Sequence, residues 1–207
     1  MTARSPSRSA ATPSAEPERW RVFLAVDLPD AVRARLQGPL DDLLPLGDYL
    51  RINPVERMHL TLHFLGHLSV ADVERLPARL APLVNGHRSF QVAAQGVGSF
   101  PNLARAQVLW VGIVGTELPR LMTLQSQLGT SLREAGLTVE DRFHPHLTLA
   151  RVRRPLKGGQ RKLLTDWQAR WKEPLLGEIP VRTVQLMRSQ LGSGPPRYTT
   201  LSTFELQ

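Results

Sequence analysis

The chain contains the tetrapeptide His-Leu-Thr-Leu twice, as His59-Leu60-Thr61-Leu62 and as His146-Leu147-Thr148-Leu149. In both copies a polar residue alternates with leucine, which is the period-2 pattern of a half-buried strand. We therefore expect each copy to lie on a strand whose leucines face a core. The histidine and the threonine of each copy should then share the opposite face of that strand.

The repeated residue types indicate acid–base chemistry. A single strand histidine is usually structural, but strand formation alone selects Val, Ile and aromatic residues rather than a repeated His-x-Thr. If the two strands meet, one imidazole can accept a proton while the other donates one, and two hydroxyls can hold a phosphate. We therefore predict that His59 and His146 are catalytic and that Thr61 and Thr148 bind the substrate.

The two copies also occupy equivalent places in an internal repeat. A strand over residues 22–26 and then a helix over residues 30–44 are predicted before the first copy, and Gly38-Pro39 is expected to interrupt the helix. A strand over residues 108–114 and then a helix over residues 117–135 are predicted before the second copy, with Gly136 as the C-cap of the helix. A helical stretch follows each copy. The predicted order of strand, helix, motif strand and helix thus occurs twice.

Four stretches of the chain carry a resemblance to a known family. They are Arg21-Val22-Phe23-Leu24-Ala25-Val26-Asp27-Leu28-Pro29, His59-Leu60-Thr61-Leu62-His63-Phe64-Leu65-Gly66, Gly98-Ser99-Phe100-Pro101 and Phe143-His144-Pro145-His146-Leu147-Thr148-Leu149-Ala150-Arg151. On these residues the sequence resembles the two-histidine phosphoesterase superfamily. Within it, the chain resembles the bacterial RNA 2',3'-cyclic phosphodiesterases, also called 2'-5' RNA ligases.

The resemblance implies an α+β fold with two lobes and a pseudo-two-fold internal repeat, in which two antiparallel sheets backed by helices surround a central cleft. It also implies hydrolysis of RNA 2',3'-cyclic phosphate ends to 2'-phosphate ends, without metal or cofactor. ATP-independent 2'-5' ligation would be the reverse reaction. By the same resemblance, His146 is the general base, His59 is the general acid, and Thr61 and Thr148 donate to the phosphoryl oxygens.

Arg151 is a further binding candidate. The family that the sequence resembles has an arginine at this place in the second motif, and the resemblance implies that it helps to hold the phosphate. A guanidinium fork suits that task. Strict alternation, however, places Arg151 on the face of Leu147 and Leu149, opposite to His146. Either a bulge or the strand end turns Arg151 back towards the site, or Arg151 binds elsewhere.

A basic segment follows the second motif. The chain carries a formal net charge of +8, and Asp166 is the single acidic residue between Arg151 and Lys172. A basic rim beside a cleft would attract RNA in a salt-dependent way, and its candidate residues are Arg153, Arg154, Arg161 and Lys162. The alternative is a solvated surface in a chain that uses arginine heavily.

Other kinds of site and function compete with this prediction. If the first motif were helical, His59 and His63 could share a zinc ion with His144 and His146. On a strand, positions four apart lie about 13 Å from each other, so we expect no metal site. The remaining alternatives are a phosphodiesterase for small cyclic nucleotides or ADP-ribose cyclic phosphate, and a non-catalytic protein that binds RNA ends.

Length and composition indicate the domain organisation and the class of protein. The chain has 207 residues, of which 42% are hydrophobic, and no cysteine, so it can form one core without disulfides. Residues 1–19, rich in Ser, Ala, Pro and Arg, are predicted to be a disordered tail before a domain over residues 20–207. No apolar run is long enough to span a membrane. We expect a cytoplasmic monomer.

Overall fold

Two antiparallel sheets form the framework of the protein. The computed structural model describes residues 18–140, 142–192 and 196–207. The first sheet contains, in spatial order, β3 (Leu60–Ser69), β1 (Arg19–Val26), β8 (Thr183–Gln190) and β9 (Arg197–Glu205). The second sheet contains β2 (Leu50–Ile52), β6 (His146–Val152), β5 (Val108–Val114), β4 (Phe90–Phe100) and β7 (Leu175–Val181).

The four described helices cover the two sheets in pairs. They are α1 (Asp30–Asp41), α2 (Val70–Asn85), α3 (Leu118–Glu134) and α4 (Gly158–Trp171). Helix α2 packs on the first sheet, and α3 packs beside it on β3 while also contacting β4 of the second sheet. Helix α1 packs on β7 and α4 on β4 of the second sheet. The helix after β1 therefore crosses to the second sheet, and the helix after β5 crosses to the first. The predicted two-lobed α+β fold is confirmed, and each lobe draws on both halves of the chain.

The first predicted helix is shorter and more regular than expected. α1 ends at Asp41, with Pro39 inside it and a separate 3-10 turn at Leu44–Leu46, so the predicted interruption at Gly38-Pro39 is wrong. Proline near the end of a helix removes one backbone hydrogen bond without stopping the last turn. The glycine serves packing instead, because a Cβ on Gly38 would lie 2.8 Å from the ring of Trp171.

The predicted end of the helix before the second motif is confirmed. Gly136 follows α3 with a φ of +80°, a left-handed conformation that favours glycine. The Leu137 amide donates to the Leu132 carbonyl over 3.0 Å, which completes the C-terminal cap.

The predicted N-terminal tail is described only at its last two residues. Residues 1–17 of the predicted tail lie outside the described residues, and β1 begins at Arg19. In the described part of the chain, none of the helices has the length and apolarity needed to span a membrane.

His63, the fourth residue of β3, is buried in the first lobe. Its Nε2 lies 2.8 Å from the carbonyl oxygen of Gln125 in α3. Gly129 lies one turn further along α3 and leaves room for the imidazole, since a Cβ there would come within 2.9 Å of the His63 Cε1 atom. The pair holds α3 against β3, the strand of the first motif.

This contact predicts that Gly129→Ala lowers the free energy of unfolding. Alanine is the better helix former by about 1 kcal/mol, but overpacking a core contact costs about 1–3 kcal/mol. Thr123→Ala, at an exposed position of the same helix, is the matched control and should change stability little. Urea unfolding of the two variants measures the difference. A Gly129→Ala variant at least as stable as the parent would contradict the proposed packing.

Candidate active site

The two motifs lie where the sheets meet. His59 directly precedes β3 and His146 begins β6, and Cα atoms of these two strands approach within 8 Å of each other. The motif leucines on both strands are buried, as the alternation predicts, and the threonines are half-buried. The fold thus brings the two His-x-Thr pairs to the junction of the lobes.

The two imidazoles are held in the same way. Nδ1 of His59 lies 2.9 Å from the carbonyl oxygen of Arg57, and Nδ1 of His146 lies 2.6 Å from that of His144. Because a carbonyl oxygen only accepts, Nδ1 carries the proton in both rings, and Nε2 is the basic nitrogen of each neutral imidazole. Neither Nε2 atom hydrogen-bonds to another residue in the described part of the chain.

Aromatic rings fix the orientation of both imidazoles. Phe23 of β1 stacks on His59 with ring centroids 4.7 Å apart, and Tyr198 of β9 meets the same ring edge-on. Phe100 of β4 meets His146 edge-on at 5.0 Å. Phe23 and Phe100 belong to stretches that carry the family resemblance, but no sequence pattern assigned them to the site. Nothing in the sequence pointed to Tyr198.

Each motif strand contains a β-bulge at the same place. In β3, Thr61 pairs with Ala25 and His63 with Leu24, so Leu62 is unpaired. In β6, Thr148 pairs with Trp110 and Ala150 with Leu109, so the fourth residue of that motif is unpaired as well. A bulge shifts the inward–outward alternation by one residue. The residues that follow it therefore change faces in both copies.

The bulge in β6 turns Arg151 towards the face of Thr148. Arg151 pairs with Val108, which lies two residues before Trp110, the partner of Thr148 in the regular strand β5. Residues two apart on a strand share a face, so Arg151 is exposed on the His146 side of the sheet. Of the two alternatives left by the sequence, the bulge is the one observed. The equivalent residue of the first copy is Phe64, which is 49% exposed.

Burial lowers the pKa of both histidines, and their charged neighbours differ. At His59, desolvation is the largest effect on the pKa. The backbone hydrogen bond and the Asp27 carboxylate partly oppose it, and the Arg33 guanidinium lowers the pKa slightly further. At His146, desolvation again dominates, and the positive charge of Arg151 lowers the pKa further. Asp27 is itself held by Arg33, with 2.6 Å between Nη2 and Oδ1.

The helical part of the predicted basic rim lies away from the histidines. Arg153 and Arg154 follow β6 and are exposed, whereas Arg161 and Lys162 belong to α4. α4 packs against α1, on the sheet face opposite to His146. Lys162 also pairs with Asp166 over 2.7 Å. RNA contact by these four residues remains a prediction.

The described residues offer no ligand set for a metal ion. Within residues 18–140, 142–192 and 196–207, no three His, Asp or Glu side chains cluster closely enough to hold one. His63, which the zinc alternative required next to His59, bonds to α3 inside the first lobe instead.

The neighbouring charges predict opposite effects on the two imidazoles. Asp27→Asn should lower the pKa of His59, because it removes the negative charge that favours the imidazolium. Arg151→Gln should raise the pKa of His146, because it removes a nearby positive charge. NMR titration of the Cε1 protons measures both values, and in each variant the other histidine is the internal control. A shift of the opposite sign at either ring would contradict the described electrostatics.

Comparison with known proteins agrees with this geometry. The profile of the 2'-5' RNA ligase superfamily matches residues 22–192. An RNA 2',3'-cyclic phosphodiesterase of Archaeoglobus fulgidus is 30% identical over 185 residues, which are 89% of this chain and 99% of that protein. One of Thermus thermophilus is 32% identical over 198 residues, 90% of each chain.

Solved structures share the same fold. TT0787 of Thermus thermophilus matches with a TM-score of 0.74 at 27% identity, covering 89% of this chain and 97% of that one. Escherichia coli LigT complexed with 3'-AMP matches with a TM-score of 0.70 at 25% identity, covering 91% and 99%. The family resemblance is thereby confirmed, and the chain belongs to the 2'-5' RNA ligase superfamily.

Proposed function

We infer that this protein hydrolyses RNA 2',3'-cyclic phosphate ends to 2'-phosphate ends, with no metal or cofactor. The observation that carries this inference is the matched setting of His59 and His146. Both donate Nδ1–H to a backbone carbonyl, and each is followed two residues later by a threonine that the strand alternation places on the same face. The names of the relatives support the same activity.

The reaction needs one base, one acid and donors for the phosphoryl oxygens. We assign Nε2 of His146 to remove a proton from the attacking water, whose oxygen bonds to phosphorus in line with the ribose 3'-oxygen. As the bond from phosphorus to that oxygen breaks, protonated Nε2 of His59 supplies the proton. The product then carries a 2'-phosphate and a free 3'-hydroxyl. A 5'-hydroxyl in place of water would give a 2'-5' linkage without ATP.

The charges beside the two rings support this division of roles. The register of β1 and β3 pairs Val26 with Leu60, so Asp27 comes next to His59 at the end of the ladder. A carboxylate beside His59 favours the protonated ring that an acid requires. Arg151 near His146 favours the neutral ring that a base requires.

Binding of the phosphate is assigned to the threonines and to Arg151. Among the described residues, neither Thr61 nor Thr148 uses its hydroxyl in a hydrogen bond, so both can donate to non-bridging oxygens. Arg151 adds a guanidinium on the same face. The exposed ring of Phe64, at the equivalent place in the first copy, offers a surface on which a base can stack.

Two other functions remain as alternatives. A non-catalytic protein that binds RNA ends would not need two imidazoles with the same free nitrogen. A phosphodiesterase for small cyclic nucleotides or ADP-ribose cyclic phosphate would use the same residues, and its substrate would lack a second phosphodiester of an RNA chain. Rates on these substrates distinguish the alternatives from RNA. We also propose that the enzyme is a cytoplasmic monomer, and light scattering of the purified chain tests the oligomeric state.

Replacing either histidine should abolish most of the activity. His59→Ala and His146→Ala should each lower kcat by roughly 10²–10⁴, the usual contribution of a positioned acid or base. His67→Ala is the matched control, because His67 is exposed at the far part of β3. The assay follows an oligonucleotide with a 2',3'-cyclic phosphate end in excess EDTA, and phosphorus NMR identifies the product.

The result expected for the parent is a 2'-phosphate end at an undiminished rate in EDTA. Loss of activity with EDTA and its return with zinc would contradict the metal-independent mechanism. An equal loss in His67→Ala and His59→Ala, with both variants folded, would contradict the assignment of the motif face.

A further inference from the structure

Arg51 lies directly opposite Arg151 across the ladder between β2 and β6. Directly opposed residues of an antiparallel pair share a face, with Cβ atoms about 5 Å apart. Arg51 is therefore on the face of Thr148 and His146, and it is exposed. In the part of the chain that the structure describes, neither guanidinium has a side-chain hydrogen bond or an ion pair.

Two like charges in this arrangement repel each other. Opposed like charges destabilise a sheet, whereas a bound anion between two arginines turns the same charges into an attractive site. A phosphate oxygen pair fits the fork of each guanidinium. The pairing thus has the chemistry of an anion site, and its placement in the sheet indicates which anion it would receive.

Arg51 lies further from the reacting phosphate than Arg151 does. Arg151 follows Thr148 by three residues, one of which is taken up near the bulge, so the two are about 7 Å apart along β6. Arg51 is one strand further out, about 5 Å to the side. β2 is the outermost strand of its sheet, so a nucleic acid chain can leave the site across it.

We propose that Arg51 binds the phosphodiester next to the reacting cyclic phosphate, that Arg151 lies between the two phosphates and contacts both, and that the Arg51 contact makes the enzyme prefer an RNA end to a mononucleotide. The proposal rests on the proposed function. It adds a residue that neither the repeated motifs nor the basic segment includes. A mononucleotide 2',3'-cyclic phosphate has no second phosphate and would not reach Arg51.

The test compares three substrates. They are a mononucleotide 2',3'-cyclic phosphate, a dinucleotide with the same end, and that dinucleotide with an uncharged methylphosphonate linkage. The variants are Arg51→Gln, Arg51→Lys and Arg35→Gln, the last being a matched control at an exposed position of α1. Circular dichroism verifies that each variant is folded, and kcat and KM are measured for each substrate.

For the parent, we expect the dinucleotide to have the lowest KM of the three substrates. Arg51→Gln should raise the ratio of dinucleotide KM to mononucleotide KM by about tenfold, the usual effect of losing one charged hydrogen bond. The methylphosphonate dinucleotide should be insensitive to the change, and Arg51→Lys should restore part of the preference. Arg35→Gln should leave the ratio unchanged.

Two results would overturn the proposal. One is an unchanged KM ratio in Arg51→Gln, and the other is an equal loss on the charged and the methylphosphonate dinucleotides. A parent enzyme that turns over none of the three substrates would instead contradict the proposed function, and the inference would fall with it. Turnover of all three by Arg51→Gln, with no change in preference, would leave the proposed function standing and remove Arg51 from it.

Discussion

Burial of the motif leucines is the constraint on which the candidate site depends. Leu60, Leu62, Leu147 and Leu149 are at most 3% exposed, and each stabilises the fold by about 1.5–3 kcal/mol. Because strand side chains alternate, burying these leucines forces the histidine and the threonine of each copy to the other face. Packing of the leucines in the core thus determines the direction of the polar side chains, without any contact between those side chains. The hydrogen bonds from Nδ1 to the backbone then set the tautomer and the ring angle.

The two motifs match in their local backbone and differ in their neighbouring charges. Both strands have a bulge after the threonine, and both imidazoles bond to the carbonyl two residues earlier. The residue that each bulge turns to the polar face is Phe64 in one copy and Arg151 in the other. Two imidazoles in identical surroundings would be equally suited to the acid role and the base role. The carboxylate near His59 and the guanidinium near His146 make those surroundings different.

Much of this arrangement can be predicted from the sequence, and the remainder has a physical reason for escaping prediction. Alternation predicts the two strands and the faces of their leucines, and the repeat predicts two similar lobes. A bulge inserts a residue without a distinctive local sequence, so strict alternation misplaces Arg151. Arg51 and Tyr198 join the site through strand pairing over long separations, which one sequence does not reveal. The exchange of α1 and α3 between lobes likewise depends on tertiary packing.

We propose that His59 and His146 act as one unit on a single phosphate. The most direct measurement is a double-mutant cycle in kcat/KM for a 2',3'-cyclic mononucleotide, with each single alanine variant and the double variant. If the two rings serve one transition state, the double variant loses far less than the product of the single losses. Full additivity of the two losses in free energy would contradict this coupling, because it would mean that the histidines act independently.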